Sequence, residues 1–296
     1  MSMIIAAMPA HNEDERIAKV VLGAKKHVDK VVLVDDGSTD ATAEIAEALG
    51  ALVVRHEENR GYGAALGTCF ETARELDADI MVILDSDGQH DPAYIPEFIK
   101  ILRTKGADVV IGSRFLTRNE IKPKWRIAGM KVLNLFTRLH GVKTTDSQSG
   151  YRAYSRRAIE KIRITNHDMG ASSEILIQAK NHDLKIVEIP ITVRYDIENT
   201  SSKNPWRHGF GVLGWLIRVT SEKRPLLFFG IAGAILTIIG LIFGANVLRI
   251  ANAGRGIAVG TALMSVLFIV IGVFSMFTGL ILNAIRKGEE KNKRNG

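Results

Sequence analysis

Over residues 1–215, short Val- and Ile-rich runs alternate with amphipathic stretches. Apolar runs bounded by turn signals fall at 2–8 (SMIIAAM), 30–35 (KVVLVD), 51–55 (ALVVR), 79–84 (DIMVIL) and 107–112. Helical periodicity occupies the segments near 13–27, 40–49, 61–76 and 92–105. Val/Ile runs without period-two alternation suit strands covered on both faces. Strands separated by helices suit a parallel sheet. The expected architecture is α/β, a mostly parallel sheet sandwiched by helices, with ligands at the carboxyl ends of the strands.

The pattern changes near residue 225. The runs 225–248 and 256–285 hold no charged residue, and each exceeds the roughly 20 residues a helix needs to cross a bilayer. The linker LRIANAGR between them is short, so the two form a hairpin. Two further segments read as amphipathic helices at an interface. In 122–140, Trp125, Gly129, Val132, Phe136 and Leu139 recur at helical spacing beside a basic edge. In 205–219, Trp206, Phe210, Leu213 and Ile217 do the same just ahead of the first span. The alternative is that both cover the core of the soluble domain. The expected organisation is a soluble domain over 1–204, a juxtamembrane helix over 205–224, two spans over 225–285 and a basic tail over 286–296, whose end EEKNKRNG is expected to be disordered.

Charge sharpens this division. The net charge is +7, and the excess lies in 114–138, 201–224 and 286–296. Two of these segments adjoin the apolar runs, which fits anionic lipid headgroups better than nucleic acid. The Lys/Arg load on the outer flanks of the hairpin predicts that both flanks, and the large domain with them, lie on the cytoplasmic face of the cell membrane. The single cysteine, Cys69, lies in an apolar helical stretch and reads as a buried core thiol. The N-terminal MSMIIAAMPAHNEDER has no basic n-region, so no secretory signal is expected.

Candidate chemistry clusters directly after strands: PAHNE (9–13), DDGSTD (35–40) and DSDGQH (85–90). Asp85 and Asp87, two apart on an extended end, can point to one side. A hard cation such as Mg²⁺ or Mn²⁺ relieves the repulsion between two such carboxylates and binds a diphosphate. Gln89 can add a ligand. The competing reading is a solvated turn that caps the next helix. Asp35 and Asp36 either form a turn or accept hydrogen bonds from a nucleotide's base or ribose. NRGYGAALG (59–67) places glycines ahead of a helix, but its spacing and its position after the third strand argue against a dinucleotide fingerprint.

Together with GSR (112–114), DSQSGYR (146–152) and EIPITVRY…TSSKNP (188–205), these motifs resemble, in order and spacing, the GT-A-fold family 2 glycosyltransferases. The subgroup resembled is the dolichyl- or polyprenyl-phosphate sugar synthases, over about residues 3–210. The resemblance implies a Rossmann-like GT-A domain that moves a sugar from a nucleotide-sugar to dolichyl or polyprenyl phosphate. It implies that Pro9, His11, Glu13, Asp35, Asp36 and Ser86 hold the nucleotide-sugar, and that Asp85, Asp87 and Gln89 hold Mg²⁺ or Mn²⁺ and the diphosphate. Arg194 and Lys203 resemble the late basic pair that closes over the donor. Arg114 resembles the residue that meets the acceptor phosphate, and Asp146 a carboxylate proposed as base in some relatives. Ser149 and Arg152 either shape the acceptor pocket or form a turn. Where relatives often have PAYNE, this chain has His11. The ending TVRYDIENTSSKNPWRHG resembles relatives using UDP-glucose or UDP-N-acetylglucosamine more than those using GDP-mannose. Neither a QxxRW-type motif nor the additional spans of a processive polysaccharide synthase is found. The reading from another class is a non-catalytic nucleotide-sugar-binding scaffold.

Overall fold

A computed structural model describes residues 2–117, 134, 137, 138, 141–166, 170–194, 225–253, 256 and 258–295. The chain divides into two compact units, Met1–Leu213 and Gly214–Gly296.

The first unit is a helix-covered sheet. Its strands are β1 (Ile4–Ala10), β2 (Lys30–Asp35), β3 (Leu52–Arg55), β4 (Ile80–Ile83), β5 (Val109–Ser113), β6 (Arg152–Ser155) and β7 (Ile186–Pro190). Its helices are α1 (Asp14–Ala24), α2 (Thr42–Ala48), α3 (Tyr62–Glu75), α4 (Ile95–Lys105), α5 (Arg156–Lys161) and α6 (Ala171–Asn181). The seven strands run in the order β3-β2-β1-β4-β6-β5-β7. All pairings are parallel except those of β6, which is antiparallel to both β4 and β5.

Both faces of the sheet are buried, as the unbroken apolar strands require. Ile5, Ala7, Val32, Val34, Met81 and Ile83 face one side, where Cys69 and Phe70 of α3 and Ile175 of α6 cover them. Ala6, Met8, Val31, Leu33, Val82 and Leu84 face the other side, under Ile17 and Val20 of α1 and Phe98 of α4. Cys69 is fully buried, and burial pushes its thiol well above the ordinary range.

The topology gathers the motifs on one edge. Parallel strands β1, β2 and β4 end at Ala10, Asp35 and Ile83, so PAHNE, DDGSTD and DSDGQH emerge side by side. Because β6 runs the opposite way, its beginning meets this edge, with Arg152 opposite both Ile83 and Ile111. DSQSGYR therefore lies beside the end of β4, and Arg114 follows directly from β5.

The second unit is a hairpin of α7 (Pro225–Asn252) and α8 (Val259–Asn295). Residues Pro225–Asn252 and Val259–Ile285 are long and apolar enough to cross a membrane. Their large side chains point outward; Ile238, Ile242 and Phe274 are more than half exposed. A soluble core helix would bury these faces. The two helices meet along glycines. A Cβ on Gly233 would lie 2.9 Å from Met276 N, and one on Gly240 would lie 2.9 Å from Ile269 N. Ser265 Oγ donates to Gly240 O at 2.8 Å and Ser275 Oγ to Phe229 O at 2.9 Å, which is how helices pack where apolar burial gives no drive. The tail expected to be disordered is helical through Asn295. The amphipathic helix expected over 122–140 lies outside the described residues except at 134, 137 and 138. The segment 205–219 lies wholly outside them.

Candidate active site

Asp85 and Asp87 open the site. Asp85 follows β4 after Leu84, and its side chain is 31% exposed. Its backbone N–H donates to His90 Nδ1 at 3.3 Å, so that nitrogen is an acceptor and the imidazole is neutral. Burial pulls the His90 pKa down to about 4, which agrees. Tyr62, at the start of α3, donates its hydroxyl to Asp85 Oδ1 at 3.3 Å. Burial and the nearby Asp85 charge push that phenol well above its usual range, so it stays a donor. Behind Asp85 lies Gly150, where a Cβ would come within 2.7 Å of Oδ1. The glycine of DSQSGYR is thus required by the approach of a carboxylate. Asp87 Oδ1 accepts from Gln89 N at 2.9 Å, and Gln89 O accepts from Arg194 N at 3.1 Å. Arg194 also lies 3.6 Å from Asp91, so the late basic residue rests on the acidic loop. Lys203 lies outside the described residues.

Burial raises the Asp85 pKa, against the pull of Tyr62, Arg114 and Arg152. Burial and then the neighbouring Asp85 raise that of Asp87. A divalent cation would relieve this strain, and two carboxylates with the Gln89 amide are a hard-oxygen set suited to it. Among the described residues, no group of three or more His, Cys, Asp or Glu side chains converges. An ion here would take few protein ligands and leave positions for phosphate oxygens and water.

Directly ahead of α1, Glu13 is raised from 4.5 to about 7, first by burial and then by Asp87, against the opposing pull of Arg16 at 3.4 Å. The folded state therefore holds this proton more tightly than the unfolded chain. The associated stability is full below about pH 4.5 and is lost as pH rises through about 7. Glu13→Gln should match wild type in acid and be about 2 kcal/mol more stable at pH 8. Thermal melts across this range check it; a pH-independent difference would contradict it.

Several residues expected to touch ligands have partners within the protein. Asp36, 4% exposed, accepts from His56 Nδ1 at 2.8 Å and from the backbone of Arg60 and Gly61 at 2.9 Å. Its carboxylate holds the glycine loop ahead of α3. Ser86 is buried and donates to Pro9 O at 2.9 Å, which ties β4 to β1. Asp35 accepts from Ser38 N at 3.1 Å within its own turn, and His11 Nδ1 faces Asp36 O at 2.9 Å. Ser149 and Arg152 are both 1% exposed. Arg152 donates to Ser172 O at 2.9 Å and Ser147 O at 2.8 Å, so the guanidinium is wrapped by carbonyls under the site. Ser149 Oγ accepts from Tyr151 N.

One ion pair follows the end of β5. Asp146, 1% exposed, accepts from Arg114 Nε and Nη2 at 2.7 Å each and from its backbone N at 3.1 Å.

The sequence profile of Glycosyl transferase family 2 matches residues 5–163. The chain belongs to glycosyl transferase family 2. An uncharacterized protein of Methanocaldococcus jannaschii is 40% identical over 72% of this chain and 90% of its own length. The UDP-N-acetylglucosamine–dolichyl-phosphate N-acetylglucosaminyltransferase of Methanococcus voltae is 35% identical over 65% of this chain and 86% of its own. Glucosyl-3-phosphoglycerate synthase of Mycobacterium tuberculosis, solved with Mn²⁺, UDP and its product, superposes with a TM-score of 0.59. It is 23% identical, over 74% of this chain and 79% of that one, and so speaks to the fold alone.

Within this family 2 glycosyltransferase, sequence reasoning missed Tyr62, His56 and Glu188. Tyr62 carried a signal, its place between two glycines ahead of a helix. Glu188 opens the motif EIPITVRY, but nothing in that motif points to the loop 144–146 that its carboxylate holds.

Proposed function

We propose that this chain transfers a sugar from a nucleotide-sugar to dolichyl or polyprenyl phosphate, with UDP-glucose or UDP-N-acetylglucosamine as donor, at the cytoplasmic face of a membrane. The observation that carries the reading is the placement of Asp85, Asp87, Arg194 and the Arg114–Asp146 pair on one sheet edge, in a chain that also bears a bilayer-length apolar hairpin. The donor class is favoured by the M. voltae relative and by the ending TVRYDIENTSSKNPWRHG. Relatives named for mannose transfer favour the second reading, GDP-mannose as donor.

Asp85, Asp87 and Gln89 would hold Mg²⁺ or Mn²⁺, which supplies positive charge to the leaving diphosphate when bound. Arg194 and Lys203 neutralise the same leaving group. Arg114 holds the lipid phosphate so that its oxygen attacks the anomeric carbon as the nucleoside diphosphate departs. This single displacement inverts the anomeric centre. A phosphate monoester with its second pKa near about 6 is largely dianionic at neutral pH and needs no strong base. Asp146, committed to Arg114 through both oxygens, orients rather than abstracts.

Labelled UDP-glucose, UDP-N-acetylglucosamine and GDP-mannose, each offered with Mg²⁺ or Mn²⁺ and polyprenyl phosphate, test the donor. Transfer from a UDP-sugar is expected. Transfer from GDP-mannose alone selects the second reading, and nucleotide binding without any transfer favours a scaffold.

A further inference from the structure

We infer that Glu188 is a positioning residue that fixes the acceptor-side guanidinium of Arg114 through the loop 144–146. Glu188 lies on β7, paired in register with Ile111 of β5, so its backbone is tied to the strand that delivers Arg114. Its carboxylate leaves the strand and is covered by donors from one loop. Thr144 Oγ1 donates to Oε1 at 2.7 Å, Thr145 N at 2.9 Å, Thr145 Oγ1 at 3.1 Å and Asp146 N at 3.3 Å. Thr145 N also lies 3.0 Å from Oε2. A single charged oxygen receiving this many donors sets the path of the backbone.

The loop so held presents Asp146, which grips Arg114 by Nε, Nη2 and the main chain. Ser113 Oγ and Thr145 Oγ1, 2.6 Å apart, join the loop to the end of β5 a second time. Arg114 is a long side chain, and a group that positions a nucleophile must be locked to within a fraction of an ångström. Two carboxylates in series provide that lock: Glu188 fixes the loop, and Asp146 fixes the guanidinium. Glu188 itself touches neither reactant. The inference rests on the reading of Arg114 as the residue that meets the acceptor phosphate.

The test uses the full chain in detergent, labelled with ¹⁵N-arginine. Wild type should show a downfield Arg114 Nε–H resonance, assigned by its loss in Arg114→Lys. In Glu188→Ala that resonance should shift upfield and exchange faster with water. With the donor that the panel above identifies, Glu188→Ala should raise the KM for a short polyprenyl phosphate about tenfold, with kcat and donor KM within about twofold. Glu188→Gln, which keeps an acceptor oxygen, should fall between the two. An unchanged Nε–H resonance in Glu188→Ala, or donor and acceptor KM rising together, would overturn the assignment. If wild type transfers no sugar to lipid, the acceptor reading of Arg114 fails, and the resonance alone then decides whether Glu188 positions it.

Discussion

Asp87→Ala should lower sugar transfer by about a thousandfold or more while leaving the fold intact. The two effects separate because the carboxylate is held at a cost. Burial and the neighbouring Asp85 both disfavour its charge in the folded protein. Removing it relieves that repulsion, so the melting temperature should equal that of wild type or exceed it by about 2–4 °C. Its hydrogen bond from Gln89 N closes a contact between residues two apart in one loop. Transfer rates and thermal melts of the same preparation check both halves. Wild-type rates would remove Asp87 from the chemistry. A large loss of stability would make the pair structural.

Breaking the Arg114–Asp146 pair should cost both stability and transfer. Asp146 is almost wholly buried and gives both oxygens to Arg114. Arg114→Met alone leaves a buried carboxylate without its counter-charge, and Asp146→Leu alone leaves the guanidinium without its anchor. Each should destabilise the protein by about 3–5 kcal/mol, the range for stranding one member of a buried pair. The double replacement removes both charges together and should cost clearly less than the sum, with a coupling of about 2–3 kcal/mol. Transfer should be lost in all three variants. Denaturation of the four proteins closes the cycle, and additive costs would show that the pair is not an energetic unit.

How much of this was legible in the sequence depended on the range of the interactions involved. Strands β1, β2, β4 and β5 could be read from their Val/Ile runs, because burial on both faces leaves an uninterrupted local signature; β3, an edge strand with no buried residue, could be read from its short apolar run alone. The hairpin could be read from length alone. Strands β6 and β7 could not. β6 is only Arg152–Ser155, and it contains a charged residue that a local pattern assigns to the surface. Arg152 is buried because carbonyls at Ser147 and Ser172 meet it, five and twenty residues away. The same holds for the site. The acidic pair at Asp85 and Asp87 announces itself by spacing. The bonds of Asp36 to His56 and to the Arg60–Gly61 backbone could not be read, because they are set by how the β3–α3 loop folds back. Asp146 carried a motif, but its commitment to Arg114 spans 32 residues and emerges only when β5 and the loop ahead of β6 are brought side by side.

The central claim, that a lipid phosphate receives the sugar, is tested most directly by product partition. The full chain in detergent is incubated with labelled nucleotide-sugar and divalent cation, with polyprenyl phosphate in one sample and the dephosphorylated polyprenol in another. The account predicts label in the organic phase with the phosphate alone. Equal labelling of both lipids, or label that stays in water in both, would contradict it.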